Sequence, residues 1–237
     1  MTAVGANIER VRERISAAAL KAGRNPEEIC LIAVSKNVGV EDILAATAAG
    51  IRDFGENYVQ DALPKLGKTG PDVRWHFIGH LPTNKARQVV GAFALIHSVD
   101  SERLAIELNK RAASVGEPNS AGVVQDILIE VRLDPNGSKT GVDPQQLDSL
   151  CACIEGLPFL RLRGLMGMAP IVPDPEMARP YFARLRGLLD RLPASSRQFL
   201  SMGMTADFDA AILEGATHVR IGTAIFGPRP RPQVYSA

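Results

Sequence analysis

Short apolar runs alternate along the chain with amphipathic segments of helical period. The run Ile29–Ser35 is almost entirely apolar, which is typical of a parallel strand covered on both faces. Strands and helices alternate throughout, and glycine and proline mark their ends. The pattern predicts eight strands, at Ile29–Ser35, Arg52–Gly55, Trp75–Gly79, Leu95–Val99, Val123–Val131, Leu162–Met168, Gln198–Met202 and Val219–Thr223.

Eight β/α units favour a closed sheet over an open one. Ile8, Val11 and Ile15 repeat at helical spacing ahead of the first strand, so an additional helix is predicted there. The predicted fold is a single (β/α)8 TIM barrel with an extra N-terminal helix, in one domain spanning residues 1–237. The proline-rich residues 228–237 are predicted to form an extended tail.

The charge balance narrows the choice of partners. Lysine and arginine number 27 and aspartate and glutamate 26, so no global field attracts nucleic acid or an anionic membrane. A small molecule bound at a local site is the predicted partner. No long apolar stretch requires burial against another subunit, so a monomer is predicted. Three cysteines without CxxC spacing and an amino terminus without a signal-peptide core predict a cytoplasmic protein.

Lys36 stands at the carboxyl end of the first predicted strand. In a barrel this is the mouth where (β/α)8 enzymes bind ligands, and partial desolvation there favours the neutral, nucleophilic amine. Schiff-base chemistry with a carbonyl compound then becomes possible. The alternative is that the lysine only extends its ammonium group to the surface, as other strand-end lysines do.

Two glycine-containing segments follow the last two strands, where barrels usually hold phosphate. They are Ser201–Thr205 and Arg220–Thr223. Glycine lets the main chain approach an anion, and N–H groups and hydroxyls supply donors. The alternative is ordinary turn chemistry, with Thr205 capping the next helix. Two such segments on adjacent strands favour phosphate binding.

Glu56 and Asn57 close the second strand, where their side chains would reach the same mouth as Lys36. Asn57 is predicted to hydrogen-bond a ligand or, alternatively, to cap the helix that follows. Glu56 is predicted to be buried and to form an ion pair with a lysine or arginine.

The four histidines do not predict a metal site. His76 and His80 share one face of the third predicted strand, but no third ligand of suitable spacing follows them. A packed or ligand-stacking histidine is therefore preferred to metal binding. His97 and His218 are assigned to the core or the surface.

Together these segments resemble the pyridoxal phosphate homeostasis protein family, whose members are single-domain relatives of the alanine racemase barrel. The resemblance spans nearly the whole chain. It rests on the blocks Ala33–Lys36, Phe54–Gln60, Trp75–Gly79 with Asn84 and Lys85, Ser138–Gly141, Arg163–Met166, Ser201–Met204 and Val219–Gly227.

The resemblance implies one cofactor, pyridoxal 5′-phosphate (PLP), held as a Schiff base on Lys36. Arg220 would face the pyridine nitrogen and Asn57 would lie near the ring. An arginine beside that nitrogen keeps it unprotonated, which weakens the ring as an electron sink. The cofactor-binding residues implied in this chain are Lys36, Asn57, Ser201, Gly203, Thr205, Arg220, Gly222 and Thr223.

The function implied is intracellular PLP homeostasis by storage, buffering or delivery, with PLP-dependent apo-enzymes as acceptors and indirect effects on amino-acid and keto-acid pools. No catalytic residue is predicted. The alternative is a PLP-dependent amino-acid racemase or a related barrel enzyme. Alanine racemases of this type carry a second, mostly β domain with a catalytic tyrosine, and no equivalent is expected after the eighth strand. A Schiff-base aldolase, with Lys36 free of cofactor, is a weaker alternative.

Overall fold

The computed structural model describes residues 2–115, 122–134 and 140–228. Within these ranges eight strands pair in chain order and close into a barrel, with the first strand paired in parallel to the eighth. The predicted α/β barrel is confirmed. The strands are β1 Cys30–Val34, β2 Asp53–Glu56, β3 Arg74–Phe77, β4 Leu95–Val99, β5 Gln125–Val131, β6 Leu160–Gly167, β7 Phe199–Ser201 and β8 His218–Ile221.

Helices surround the barrel, and the first of them is the predicted extra helix. It begins after Thr2, whose side chain accepts a hydrogen bond from the Gly5 amide, and it packs against the three helices that follow β1, β7 and β8 in the chain. The helices in the described residues are α1 Ala3–Lys21, α2 Val40–Ala48, α3 Val59–Leu66, α4 Ala86–Val89, α5 Glu102–Ala112, α6 Leu147–Glu155, α7 Arg179–Leu189, α8 Phe208–Leu213 and α9 Thr223–Phe226.

Several strand ends differ from the predicted ones by one or a few residues. β8 ends at Ile221 instead of Thr223, because Gly222 leaves the sheet and precedes α9. β3 ends at Phe77, so His80 lies beyond the strand and is exposed. The predicted pairing of His76 with His80 on one strand face is therefore wrong, because the strand does not continue that far.

A β-bulge lies in β6. The register between β5 and β6 shifts by one residue, so that Arg163 is an extra residue on the β6 side. Gly164 makes this possible: its φ is +154°, and a Cβ atom there would lie 1.8 Å from the carbonyl oxygen of Phe199. A residue with a side chain would overlap the backbone of β7 at this point.

The main apolar core lies between the strands and the helices, and Leu165 belongs to it. A second, small cluster of Leu95, Leu128 and Met166 fills part of the barrel interior. Barrel interiors are usually packed with branched apolar side chains. This one is unusual because several polar residues are buried on its strands: Asp53, His76, His97, Ser201, His218 and Arg220.

Some predictions concern segments outside the described residues. The predicted tail, apart from Pro228, is one of them, and Ser138 and Lys139 of the block Ser138–Gly141 are others. In the part of the chain that the structure describes, no helix is both long and apolar enough to cross a membrane.

Candidate functional site

Lys36 lies in the turn that follows β1, two residues beyond Val34, and it is half-buried. Side chains alternate between the two faces of a strand, and Ile32 shares a face with Gly55 of β2, since a Cβ atom on Gly55 would lie 2.9 Å from the Ile32 side chain. That face points inward, because Asp53, two residues before Gly55, bonds to His76 in the barrel interior. Lys36 continues the period set by Ile32 and Val34. Asn37 then turns the chain, with a φ of +58° that asparagine tolerates better than most residues. The lysine thus follows β1 at the carboxyl end of the barrel.

Asn57 follows β2 at the same end of the barrel. It does not cap a helix: α3 begins at Val59 with Tyr58 as its cap, so the capping alternative is wrong. Its Oδ1 atom is buried and has no hydrogen-bond partner among the described residues. A Cβ atom on Gly79 would lie 2.2 Å from the Asn57 carbonyl oxygen, so the loop after β3 packs directly on the Asn57 backbone. A buried acceptor without a donor is costly, and a ligand that donates to it would offset that cost.

Glu56 is fully buried and forms the predicted ion pair, with Lys65 of α3. The Nζ atom of Lys65 lies 2.7 Å from Oε1 of Glu56 and donates to the Ser35 carbonyl at 2.8 Å. The Ser35 hydroxyl donates to the same carboxylate oxygen at 2.6 Å. Burial raises the pKa of Glu56, while the bonds from Lys65 and Ser35 act in the opposite direction. This cluster anchors the residue directly before Lys36.

The glycine segment after β7, Ser201–Thr205, packs closely against α8. Gly203 has a φ of +90°, and a Cβ atom there would lie 2.9 Å from the Cα atom of Phe208. Thr205 is half-buried in the turn before α8, but the cap residue is Asp207, so the alternative that Thr205 caps this helix is wrong. The carboxylate of Asp207 accepts a hydrogen bond from the Met204 amide at 2.6 Å, which fixes the loop.

The second glycine segment lies beside the first. The Arg220 amide donates to the Gly203 carbonyl at 3.0 Å, so the two segments are in direct contact. Gly222 precedes α9, whose first residue, Thr223, is exposed. The first N–H groups of a helix have no acceptor within it. The structure therefore brings Gly203, Thr205, Gly222 and Thr223 together at the carboxyl ends of neighbouring strands.

Ser201 and Arg220 lie deeper, on the barrel axis. Arg220 donates to the Ser201 hydroxyl at 2.7 Å and to the Gly167 carbonyl at 3.2 Å. Burial lowers the pKa of Arg220 to about 10, while Glu130 and Asp207 act to raise it, so the guanidinium stays charged at neutral pH. The Ser201 hydroxyl is engaged with Arg220 below the loops, and a phosphate contact from this hydroxyl stays a prediction.

Several buried residues that are connected to the site through hydrogen bonds were not found from the sequence. Lys65 is one, and Asp53 and His97, which join His76 and Ser201 in a buried polar network, are others. The available signal was a polar residue within a strand that is otherwise apolar, because such a residue needs a partner when it is buried. No group of three or more His, Cys, Asp or Glu side chains in the described ranges is placed to hold a metal ion.

Two cavities mark the two ends of the barrel. One of about 490 Å³ lies at the carboxyl ends of β5 and β6, and Glu130, Met168 and Met204 line it. A larger one of about 970 Å³ lies at the amino ends of the strands, where Asp53 and Arg74 line it. The smaller cavity adjoins the candidate site, because Met204 belongs to the loop that carries Gly203.

Gly203→Ala is expected to destabilise the protein by roughly 2–3 kcal/mol, since a positive φ and an overlap in a packed region each cost an alanine about 1–3 kcal/mol. The overlap is with the Ala211 Cβ atom at 2.6 Å and with Phe208. Urea unfolding measures the change. Gly187→Ala is the matched control, because a Cβ atom there meets nothing within 4 Å. Equal stability of the two variants would contradict the argument.

The donor set fits PLP. The PLP aldehyde forms a Schiff base with an amine, and Lys36 supplies an amine just after β1. A phosphate requires close backbone approach, which Gly203 permits because no other residue fits its position. The buried Oδ1 atom of Asn57 has no hydrogen-bond donor among the described residues and could accept one from the ligand, and Arg220 is a buried cation inside the barrel. These features meet at one end of the barrel.

The sequence matches the family model described as the alanine racemase N-terminal domain over residues 2–230. A pyridoxal phosphate homeostasis protein of Escherichia coli K12 is 43% identical over 239 residues, which cover 97% of this chain and 98% of the relative. One from Aquifex aeolicus is 42% identical over 226 residues, covering 94% and 96%.

Solved structures agree with this assignment. PipY of Synechococcus elongatus, with PLP bound, is 38% identical and superposes with a TM-score of 0.77, covering 92% of this chain and 100% of PipY. An alanine racemase from Bartonella henselae is 16% identical with a TM-score of 0.70, so it shares the fold; the match covers 99% of this chain and 61% of the racemase. The chain belongs to the alanine racemase N-terminal domain family and, within it, to the pyridoxal phosphate homeostasis proteins.

Proposed function

We propose that this protein binds PLP as a Schiff base on Lys36 and serves in PLP homeostasis by storing, buffering or delivering the cofactor. The observation that carries the proposal is the meeting of Lys36, Asn57 and the two contacting glycine segments at one end of the barrel. Relatives named for PLP homeostasis match over almost the full chain, and PipY has been solved with PLP bound.

Each part of the site has a separate task in this proposal. Lys36 would hold the cofactor through a C=N bond between its amine and the PLP aldehyde, with water as the other product. The backbone at Gly203 and Gly222 and the hydroxyls of Thr205 and Thr223 bind the phosphate. Asn57 accepts a hydrogen bond at the ring. The Ser201 hydroxyl accepts a hydrogen bond from Arg220 and is also predicted to contact the phosphate.

Arg220 would make bound PLP a weaker electron sink in this proposal. When bound, PLP supplies an electron sink that is strongest with a protonated ring nitrogen. A buried guanidinium beside that nitrogen disfavours its protonation, because two cations repel each other. We infer a binding protein without substantial turnover, whose effects on amino-acid and keto-acid pools are indirect. A measurement of racemase turnover distinguishes this proposal from the alternative, a PLP-dependent amino-acid racemase.

Partners and location complete the proposal. The acceptors of the cofactor are PLP-dependent apo-enzymes. The exposed large apolar residues, among them Leu20, Ile106 and Ile171, lie on different elements, which supports a monomer of one domain. The free thiols of Cys30, Cys151 and Cys153 fit the reducing cytoplasm.

The test is a titration of the purified protein with PLP, followed by near-visible absorption. A yellow band should appear and saturate at one PLP per chain, and borohydride reduction followed by peptide mass mapping should find the adduct on Lys36. No band, or an adduct confined to other lysines, would reject the proposal. Racemase turnover in the ordinary enzymatic range, at or above about 1 s⁻¹, would favour the alternative.

A further inference from the structure

A continuous hydrogen-bond chain crosses the polar part of the barrel interior. It starts at Arg220, whose guanidinium donates to the Ser201 hydroxyl at 2.7 Å. The Ser201 oxygen lies 2.9 Å from Nδ1 of His97, and Nε2 of His97 lies 3.0 Å from Nδ1 of His76. Nε2 of His76 lies 2.9 Å from Oδ1 of Asp53. The chain thus follows the neighbouring strands β2, β3 and β4, crosses the barrel interior between His97 of β4 and Ser201 of β7, and ends on β8.

The two ends of this chain fix the direction of every proton in it. Arginine only donates, and an ionised carboxylate only accepts. Burial would raise the pKa of Asp53, but hydrogen bonds from His76 and Arg74 hold it below its ordinary value, so it is ionised. Ser201 then donates to His97, His97 donates to His76, and His76 donates to Asp53. Both imidazoles are neutral and carry their proton on Nε2.

The opposite direction is disfavoured by the contacts of Ser201. It would require His97 to donate to Ser201, and Ser201 to donate to a third group, but the described residues offer its hydroxyl no other acceptor. It would also leave His76 as a cation beside His97. Complete burial lowers the pKa of His97 well below its ordinary value, and the charge of Arg220 acts in the same direction, so His97 is neutral.

Because the hydrogen-bond chain is buried, it can fix the orientation of Arg220. Ser201 and His97 are fully buried, and His76 and Arg220 are only 4% exposed. Hydrogen bonds that point the same way polarise one another in such surroundings. In the described part of the chain both side-chain hydrogen bonds of Arg220 go to neutral oxygens, those of Ser201 and Gly167. The guanidinium is therefore held in one orientation by neutral acceptors, and the carboxylates of Glu130 and Asp207 act on it without a direct hydrogen bond.

We propose that Asp53, His76 and His97 are positioning residues for Arg220: with Ser201 they form a hydrogen-bond chain of one direction that fixes the guanidinium where the proposed cofactor ring is bound. This inference rests on the proposed function. It also links the two ends of the barrel, since Asp53 and His76 line the cavity at the amino ends of the strands. A position far from Lys36 thereby influences the environment of the ring nitrogen.

The proton arrangement is tested on the protein without cofactor. Nitrogen-15 NMR of the imidazoles at pH 7 should show His76 and His97 as neutral rings protonated on Nε2. His97→Leu and Asp53→Asn provide the assignments and perturb the chain from its middle and its end. A doubly protonated His76, or a His97 protonated on Nδ1, would overturn the proposed direction.

The effect on Arg220 is tested with PLP. His97→Leu should weaken PLP binding roughly tenfold, since a lost charge-assisted hydrogen-bond network costs that much or more, and should shift the absorption band or its pH midpoint. His218→Leu is the matched control: His218 is buried in the same interior, its ring 6.3 Å from that of His97, but it bonds to Thr217 and is outside the chain. It should bind PLP within about twofold of the unmodified protein.

The outcomes separate the two proposals. If the unmodified protein forms no band, the proposed function fails, while the NMR result still decides the proton arrangement. If it forms the band and His97→Leu has the same affinity, spectrum and pH midpoint, the positioning role fails and the proposed function stands. Should His97→Leu not fold, His76→Leu, which removes the next link of the hydrogen-bond chain, is compared in the same assays, with its unchanged binding and spectrum counting against the role.

Discussion

Lys36→Ala is expected to abolish the near-visible absorption band that PLP produces with the unmodified protein. The substitution removes the amine that is proposed to form the C=N bond, and it leaves intact the loops at Gly203 and Gly222 that are proposed to bind the phosphate. PLP should therefore still bind, weakly and without a covalent bond, and dialysis should remove it completely. Absorption spectra before and after dialysis, with borohydride reduction, measure both effects.

The control for this variant is Lys68→Ala. Lys68 is exposed just beyond the end of α3, so the control removes a lysine without touching the site. It should retain the full band. Circular dichroism and thermal unfolding should show that Lys36→Ala is folded. A band of unchanged intensity in Lys36→Ala would move the covalent site to another lysine.

Lys65→Met is expected to destabilise the protein by about 3–5 kcal/mol, the usual result of removing one partner of a buried ion pair. Glu56 is fully buried, and without Lys65 its carboxylate keeps only the Ser35 hydroxyl. Urea unfolding at pH 8 measures the loss. Lys68→Met is the matched control and should change stability by less than about 0.5 kcal/mol, as surface substitutions do.

The destabilisation by Lys65→Met should depend on pH in a stated direction. Burial already raises the pKa of Glu56, and loss of Lys65 raises it further. A group whose pKa is higher in the folded state stabilises that state at low pH, and the contribution disappears as pH rises through the folded-state pKa. The variant should therefore lose less stability at pH 5 than at pH 8. An equal loss at both values would contradict a buried charge as the cause.

A double variant isolates the pair. Glu56→Gln in the Lys65→Met background removes the stranded charge, so the double variant should be more stable than Lys65→Met alone. If the second substitution instead adds its full cost to the first, the two side chains do not stabilise each other. The cavity left by the shortened lysine would then explain the loss.

The fold was predictable because each strand carries its own signal. The apolar run around Ile32 and the alternation of runs with amphipathic helices predict a closed parallel barrel, and that is the observed architecture. Strand ends were less predictable. In the sequence, Gly222 and Thr223 directly follow the apolar run of β8, but in the structure they leave the sheet and start α9. The hydrophobic pattern of so short a segment does not distinguish a helix start from a longer strand.

The candidate site was predictable where residue type and position agree. Lys36, Asn57 and the glycine segments all stand at predicted strand ends, and parallel pairing brings strand ends together. The ion pair of Glu56 was predicted, but its partner Lys65 was not, because the sequence does not show which side chain of the following helix is turned towards the strand. The network of Asp53, His76 and His97 depends on strand register around a closed sheet, which a single strand does not reveal.

The extra residue in β6 limits how this barrel can change length. Arg163 is half-exposed, and substitutions at such positions usually have little effect on stability. Yet it sets the phase of the strand beyond it, because inward and outward positions alternate. Deleting it would turn Leu165 into the interior and Met166 towards the helices, and it would rotate the Gly167 carbonyl away from Arg220. Single-residue deletions here would therefore be eliminated during evolution, whereas substitutions of the arginine side chain would persist.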